Sequence, residues 1–370
     1  MMQYNLLMFP DANPLKGVNM KPISQYIQPD VISCNEMIGQ QAIDTLMSQG
    51  LDTSIYAAAP YIYDFSIGNA LFYNKHRIGY SKYRYIYTLP RKTFIYYLYF
   101  RDQDFTQYPD TVFFTVYVAH LKSSQGSDNE AERATQTAAI RTDLANRPEV
   151  FNTFMNGDFN LYSSTELAYQ NLLAPGIGQF FDPINRPGNW SNNTAFKDIH
   201  TQSPRTASFD SGVTGGLDDR FDFILSTEDV LNGMHGLRIL PETYKAFGND
   251  GQHYNLAIIS PPTNTSAPDS VIQALHDLSD HLPVIVDIEI DPSNAFNGFT
   301  SYNETSPCQE WTQIQQNLSE LSNWKIWDFS GRLIQQKSTS NSTQLTTGFY
   351  IIEIHQLGQK PCYQKISVNK

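Results

Sequence analysis

Gly157-Asp158-Phe159-Asn160 closes an apolar run, Phe151–Asn156, and a second polar string, Ser279-Asp280-His281-Leu282-Pro283, opens another, Val284–Ile290. Both runs have the length and composition of β-strands. Asp158 and Asn160 stand two apart where a strand gives way to a turn, so their side chains point the same way. Together the strings supply two carboxylates, an amide and an imidazole. These are groups that can hold a divalent cation against a phosphate and activate a water beside it. Either string alone is ordinary turn chemistry, since Asp and Asn favour turns.

Further apolar runs, Tyr4–Met8, Val31–Cys34, Ala70–Tyr73, Thr111–Val118 and Phe221–Leu225, alternate with helical stretches up to Ile290. Polar groups recur at their ends: Asn5 in the first, Glu36 after the second, His120 after Thr111–Val118, and Asp222 in Phe221–Leu225. This placement describes a site built on one rim of a sheet core. Ser127-x-x-Glu130 and Ser163-x-x-Glu166 read as capping boxes that start helices. Asn5 lies so close to the start that a leader segment is expected to precede this sequence.

Residues 291–307, rich in Asn, Ser, Thr and Pro, read as a linker. From Cys308 to Lys370, short alternating strands and polar turns predict a small β-sandwich with no catalytic cluster. Of the three cysteines, Cys34 sits in an apolar run as a buried thiol, whereas Cys308 and Cys362 could pair if the protein is exported, a pairing the sequence leaves open.

A chain of 370 residues with 41% hydrophobic and 13% aromatic content can bury a sizeable core. No apolar run is long enough to span a bilayer, so no stable membrane insertion is expected. The net charge of −12 argues against gripping nucleic acid by bulk electrostatics. Between Leu71 and Arg101, however, stand seven Lys and Arg residues and eleven aromatics, with no Asp or Glu. Strand propensity accounts for such a stretch as two exposed strands. A phosphate-facing, base-stacking wall accounts for it as well, with Arg84, Lys82 and Tyr73 as substrate-binding candidates.

Asn5, Glu36, Ala119-His120-Leu121-Lys122, Gly157-Asp158-Phe159-Asn160, Asp219-Arg220-Phe221-Asp222-Phe223-Ile224 and Ser279-Asp280-His281 together resemble the endonuclease/exonuclease/phosphatase superfamily over residues 1–290. That superfamily includes pancreatic-type deoxyribonucleases, abasic-site endonucleases, inositol-phosphate phosphatases and bacterial sphingomyelinases. The resemblance implies a four-layer α/β sandwich, two packed mixed sheets flanked by helices, and metal-dependent phosphoester hydrolysis. It further implies that Glu36 is the principal metal ligand, with Asn5 and Asp280 near the same cation. Asp158 would position or deprotonate the attacking water, and Asn160 would hold a phosphate oxygen. His281, oriented by Asp222, would stabilise the transition state or act as base, while His120 would contact phosphate and protonate the leaving oxygen. Oxygen-rich ligation favours Mg²⁺ or Mn²⁺, with Ca²⁺ as a further option. Arg133 matches a rim-supporting arginine. His253, in a polar loop, is a candidate neighbour of the pocket.

The C-terminal segment, with Asp328-Phe-Ser-Gly331-Arg332, Gly348-Phe-Tyr350 and Lys365-Ile-Ser-Val368, is similar to Bacteroidetes type IX secretion sorting domains. The Pro-Asn-Pro opening common in those domains is missing, which leaves a carbohydrate- or surface-binding module as the alternative. The expectation is a secreted or surface-attached, monomeric phosphodiesterase that acts on nucleic acid and meets the secretion machinery through its C-terminal domain. Phosphomonoester or sphingomyelin-type substrates are the rivals within the enzyme class. A non-catalytic binding module on the same scaffold is the alternative outside it.

Overall fold

Central strands buried on both faces sort the first part of the chain into layers. In chain order the strands are β1 (Met2–Phe9), β2 (Val31–Met37), β3 (Tyr56–Ala58), β4 (Gly68–Asn74), β5 (Ile78–Thr88) and β6 (Arg91–Phe100). They continue with β7 (Phe113–His120), β8 (Thr153–Asp158), β9 (Phe180–Phe181), β10 (Asp222–Thr227), β11 (Leu237–Ala246) and β12 (Val284–Ile290). These pair into one sheet ordered β11-β12-β1-β2-β4-β3 and a second ordered β5-β6-β7-β8-β10-β9. Both are mixed. β1 runs parallel to β2 but antiparallel to β12, and β7 runs parallel to β8 but antiparallel to β6.

The computed structural model describes residues 1–10, 16–64, 67–101, 111–147, 150–207 and 212–295, together with four C-terminal strands. The chain divides into two compact units, Met1–Ala295 and Phe296–Lys370.

Three apolar clusters lie between the layers of the first unit. Tyr4, Leu6, Ile32, Cys34 and Phe72 pack outward against α1 (Met20–Ile27) and a C-terminal helix, Asp269–Leu278. Val31, Leu71, Val284 and Val286 meet Phe94, Val116, Val118, Phe154 and Ile224 between the sheets. Tyr117, Met155 and Phe223 pack on the outer face of the second sheet, against helices Ser127–Ala145 and Leu167–Leu173. Each such apolar side chain contributes about 1.5–3 kcal/mol by leaving water. The order helix, sheet, sheet, helix is the expected four-layer α/β sandwich.

The period of two then builds the site. Side chains facing between the sheets run Val31, Ser33, Asn35 along β2; Val116, Val118, His120 along β7; and Phe154, Asn156, Asp158 along β8. At one end of the inter-sheet space the core therefore turns polar. Ser33 Oγ donates to Gln3 Oε1 at 2.7 Å, Gln3 Nε2 donates to Asn35 Oδ1 at 2.6 Å, and Asn156 Nδ2 donates to Ser33 Oγ at 3.0 Å. Asn35 Nδ2 reaches Asn69 Oδ1 at 2.7 Å and the Ala119 carbonyl at 3.2 Å, joining one sheet to the other. A buried amide without such partners would cost about 1–3 kcal/mol.

Neither expected capping box forms. The helix at Ser127 is preceded by Gly126 at φ +108° and has no side-chain cap. The helix after Ser163 starts later, at Leu167. Glu166 is drawn instead to fully buried Arg133, whose Nε donates to Oε2 at 2.8 Å, and its Oε1 accepts the Tyr162 N–H at 2.8 Å. A buried guanidinium requires a carboxylate, and that demand outweighs the cap. Arg133 thus supports the rim, donating also to the Lys122 and Ser124 carbonyls.

In the second unit, β13 (Asn323–Asp328), β14 (Leu333–Gln336), β15 (Gly348–His355) and β16 (Cys362–Val368) form one antiparallel sheet ordered β14-β13-β15-β16. The described residues thus show a single sheet where a small sandwich was expected. Residues 296–307 of the expected linker, and Cys308 with its expected partnership to Cys362, lie outside the described residues. Residues 292–294 form a 3₁₀ turn, and Ala295 packs into the inter-sheet core, so the start of the expected linker belongs to the first unit. Among the described residues, no helix is long and apolar enough to cross a membrane.

Candidate active site

Alternation alone would turn Glu36 away from the pocket, because Asn35 already faces between the sheets. The backbone corrects this. Pairing shifts register between Asn5 and Phe9 on β1 and between Cys34 and Met37 on β2, and Glu36 adopts φ +61°. A non-glycine residue in this left-handed region is strained by about 1–3 kcal/mol. The result is that Glu36 Oε1 accepts from Asn5 Nδ2 at 3.1 Å and Oε2 accepts the Met8 N–H at 2.9 Å.

Asn5 Nδ2 also reaches Asp158 Oδ2, at 2.9 Å. Asp158 is held by its own neighbours too. Its N–H donates to Asn35 Oδ1 at 2.9 Å, and its Oδ1 accepts the Asn160 N–H at 3.0 Å. Asn160, at φ +50°, donates its side-chain amide to the Leu121 carbonyl at 3.2 Å. Burial pushes the Asp158 carboxyl up to about 7; nearby His281 opposes the shift, and Asp222 adds to it.

Two imidazoles flank this carboxylate in opposite states. His281 Nδ1 lies 2.7 Å from Asp222 Oδ2, and its Nε2 lies 3.7 Å from Asp158 Oδ2. Burial would strip its proton, but Asp222 and Asp158 outweigh burial and hold His281 as the imidazolium. His120 Nε2 is 3.5 Å from Asp158 Oδ2 and 3.9 Å from Glu36 Oε1. Burial, reinforced by the positive charges of Arg91 and His281, keeps His120 neutral.

Glu36, His120 and Asp158 offer ligand atoms that all lie within 4.8 Å of one another. The expected metal set was Glu36, Asn5 and Asp280. The geometry brings His120 and Asp158 beside Glu36, while Asn5 acts as an amide bridge between the two carboxylates. Asp280 Oδ2 accepts the Val213 N–H at 2.7 Å, and Oδ1, 4.0 Å from His281 Nε2, is buried with no hydrogen-bond partner among the described residues. Buried carboxylates left this way are costly unless a cation joins them. The donor set of carboxylate oxygens with one neutral imidazole fits a hard divalent cation.

The substrate candidates fall elsewhere. Arg84 Nη2 donates to Asp143 Oδ2 at 2.7 Å and Nε donates to the Tyr97 hydroxyl at 2.8 Å, tying β5 to the helix Ser127–Ala145. Lys82 Nζ lies over the Tyr97 ring at 4.3 Å, and Tyr73 stacks on Tyr80 at 6.2 Å. These contacts tie β5 to its neighbouring layers: Tyr80 to Tyr73 of the other sheet, and Arg84 to the helix. It is the turn of the β5–β6 hairpin that meets the cluster. Arg91 Nη1 donates at 3.1 Å to the same Leu121 carbonyl that Asn160 uses. His253 serves its own loop, with ring nitrogens 2.8 Å from Asp250 Oδ1 and 2.8 Å from the Ser260 carbonyl.

Three contributors escaped the sequence reading. Asn35 was hidden beside Glu36, although the two-residue period from Val31 points to it. Arg91 was one of seven basic residues with nothing to single it out. Gln202, whose side-chain amide lies 2.7 Å from His281 Nε2, carries no sequence signal.

No protein-family model matches this chain, and no curated protein matches it by sequence. Its architecture does have counterparts. A D. rerio TDP2 complexed with a single-strand DNA product superimposes with a TM-score of 0.51 at 14% identity, over 78% of this chain and 97% of that one. A humanized D. rerio TDP2 gives 0.50 over the same shares, also at 14% identity. The fold is that of TDP2. An endonuclease/exonuclease/phosphatase family protein from Bacteroides thetaiotaomicron aligns over 78% of this chain and 97% of its own, with 14% identity and a TM-score of 0.48. At such identities the shared property is the arrangement of sheets and helices. The chemistry has to be argued from the side chains that this chain places at the rim.

Proposed function

We propose that this chain is a divalent-metal-dependent phosphodiester hydrolase whose substrate is nucleic acid. The observation that carries the reading is the convergence of Glu36, a neutral His120 and Asp158 with a second, protonated imidazole held by Asp222. A buried carboxylate between a neutral and a charged histidine is suited to move protons on both sides of a transferring phosphoryl group.

In this reading Asp158 takes the proton of the attacking water. His281, charged and facing the pocket through Nε2, stabilises the phosphate and gives its proton to the leaving oxygen. His120, neutral, and the Asn160 amide hold phosphate oxygens. Asp222 keeps His281 charged and oriented, while Asn5 fixes Asp158 against Glu36. A divalent cation, Mg²⁺ or Mn²⁺ first, held by Glu36 with Asp158, His120 and Asp280 near it, would neutralise phosphate charge and acidify a bound water. That local charge balance lets a chain of net charge −12 accept an anionic group.

The fold is one on which D. rerio TDP2 holds a single-strand DNA product, which supports a nucleic-acid substrate here. The resemblance of the C-terminal segment to secretion sorting domains supports export, with that unit as an address.

The test is a substrate panel of plasmid DNA, RNA, bis-p-nitrophenyl phosphate, p-nitrophenyl phosphate and sphingomyelin, each with Mg²⁺ and with EDTA. Metal-dependent cleavage of nucleic acid and of the artificial diester is expected, falling by orders of magnitude in Asp158→Ala and His281→Ala. Full turnover in either variant would remove the mechanism. Cleavage of sphingomyelin or the monoester alone would reassign the substrate.

A further inference from the structure

The β5–β6 hairpin turn places an exposed aromatic patch beside the phosphate-facing groups, and nothing in the proposed chemistry uses it. Thr88 pairs with Arg91 to close the hairpin, and Arg91 reaches the Leu121 carbonyl, one residue beyond His120. Leu121 in turn donates its N–H to the Asp158 carbonyl at 2.9 Å. The turn is therefore fixed at the mouth of the pocket.

Around it, Tyr63 is 66% exposed, Tyr87 63% and Leu89 65%, with Tyr85 also open at 38%. The Tyr85 and Tyr87 rings meet edge to face at 5.5 Å. Lys92 Nζ sits among the rings, 4.6 Å from the centre of Tyr85, 5.8 Å from Tyr87 and 5.9 Å from Tyr63. The loop carrying Tyr63 is pinned to the hairpin, because the Lys92 N–H donates to Asp64 Oδ2 at 2.8 Å. These rings are held in place before any ligand arrives, so little ordering entropy is lost on binding.

We infer that Tyr63, Tyr85 and Tyr87, held around the Lys92 ammonium, form a stacking platform for unpaired bases next to the scissile phosphate. This rests on the reading above of a nucleic-acid phosphodiesterase and names its substrate as single-stranded, or locally unpaired, polynucleotide. The chemistry decides among occupants. A flat π face accepts any base, but only one not covered by a neighbouring base or a paired strand. A cation among the rings, Lys92, with Arg91 at the same turn, matches a polyanion better than the apolar interior of a lipid layer.

Binding can be read apart from cleavage. Fluorescence anisotropy of the full chain in EDTA would compare a labelled oligothymidylate 12-mer, an abasic 12-mer of equal charge, a 12-mer duplex, and sphingomyelin vesicles. The single strand should bind at least about tenfold more tightly than the abasic strand, as two stacked bases imply. In Tyr63→Leu/Tyr87→Leu that ratio should fall towards one, and Tyr63→Phe/Tyr87→Phe should restore it. Both positions are exposed, so a matching Tm would show that the variants fold. Equal affinity for the abasic strand, tighter duplex binding, preference for vesicles, or an unchanged ratio in the leucine variant would each overturn the inference. Turnover of bis-p-nitrophenyl phosphate by the wild-type chain, measured in parallel with Mg²⁺, reports on the hydrolase reading separately. Turnover without base-dependent binding refutes the platform alone, while base-dependent binding without turnover of any diester refutes the hydrolase.

Discussion

Asn5 and Asp158 lie on different sheets, 153 residues apart in sequence, and the amide nitrogen of the first is 2.9 Å from a carboxylate oxygen of the second. The same nitrogen is 3.1 Å from Glu36 Oε1. One amide thus holds two carboxylates that would otherwise repel each other, and it does so where the inter-sheet core becomes polar.

Asn5→Ala should therefore misplace both acids. Phosphodiester hydrolysis should fall about 100-fold, in line with the cost of small misplacements in a positioned site. A steady-state rate within a factor of three of wild type would refute the bridging role.

Asp222 keeps His281 charged. Asp222→Asn should lower kcat by about 10²–10⁴-fold. Because the carboxylate raises the folded-state pKa of His281, its proton is held as pH rises, and it should be lost at lower pH in the variant. The alkaline limb of the rate profile should move down accordingly. A limb that stays in place would show that another group sets it.

Cation binding should be visible without turnover. Mg²⁺ or Mn²⁺ should raise the Tm of the wild-type chain, by linkage of about 2.7 kcal/mol at 100 times the Kd. Glu36→Gln should abolish that rise. Should the variant respond as strongly as wild type, Glu36 is not a ligand.

Asn35 stitches Gln3, Asn69 and the Asp158 backbone together. Asn35→Ala orphans several buried polar groups and should destabilise the fold by about 2–4 kcal/mol, read from urea denaturation. A loss under 1 kcal/mol would mean that other contacts carry the join between the sheets.

Two carboxylates should contribute to the acid limit of stability. Burial would raise Asp143, but hydrogen bonds from Arg84 and Tyr117 outweigh it and hold the carboxyl below its ordinary value of 3.8. Asp229 behaves likewise, with burial outweighed by hydrogen bonds from His235 and from the Asn152 N–H. A carboxyl whose pKa is depressed by folding contributes stability that is fully present above its unfolded value and lost as pH falls through the folded one. Tm should thus drop as pH falls below about 4, and Asp143→Asn and Asp229→Asn should flatten that drop. An unaltered acid limb in both variants would place the limit elsewhere.

How much of this was legible differs from residue to residue. His120, Asp158 and Asp222 could be found because strand periodicity is local, and a polar residue ending an apolar alternation must face the same space as its predecessors. Glu36 was correctly placed at the rim, yet the period puts it on the wrong face. A left-handed backbone, forced by register shifts against β1 and β4, turns it inward. Composition is uniform along the aromatic stretch, so the sequence could not single out Arg91, the hairpin-turn residue that reaches the Leu121 carbonyl. Which end abuts the pocket depends on how β6 pairs with β7.

The sequence by itself determined the layers and the rim, since alternating apolar residues and strand-end polar groups are properties of neighbours in the chain. The tertiary structure alone decided the partners: Asn5 with Asp158 and Glu36, Asp222 with His281, and Arg91 with the carbonyl beside His120. Those pairings arise where two separately formed sheets meet. Hydrogen bonds act over about 3 Å, so they depend on positions that local propensity does not encode.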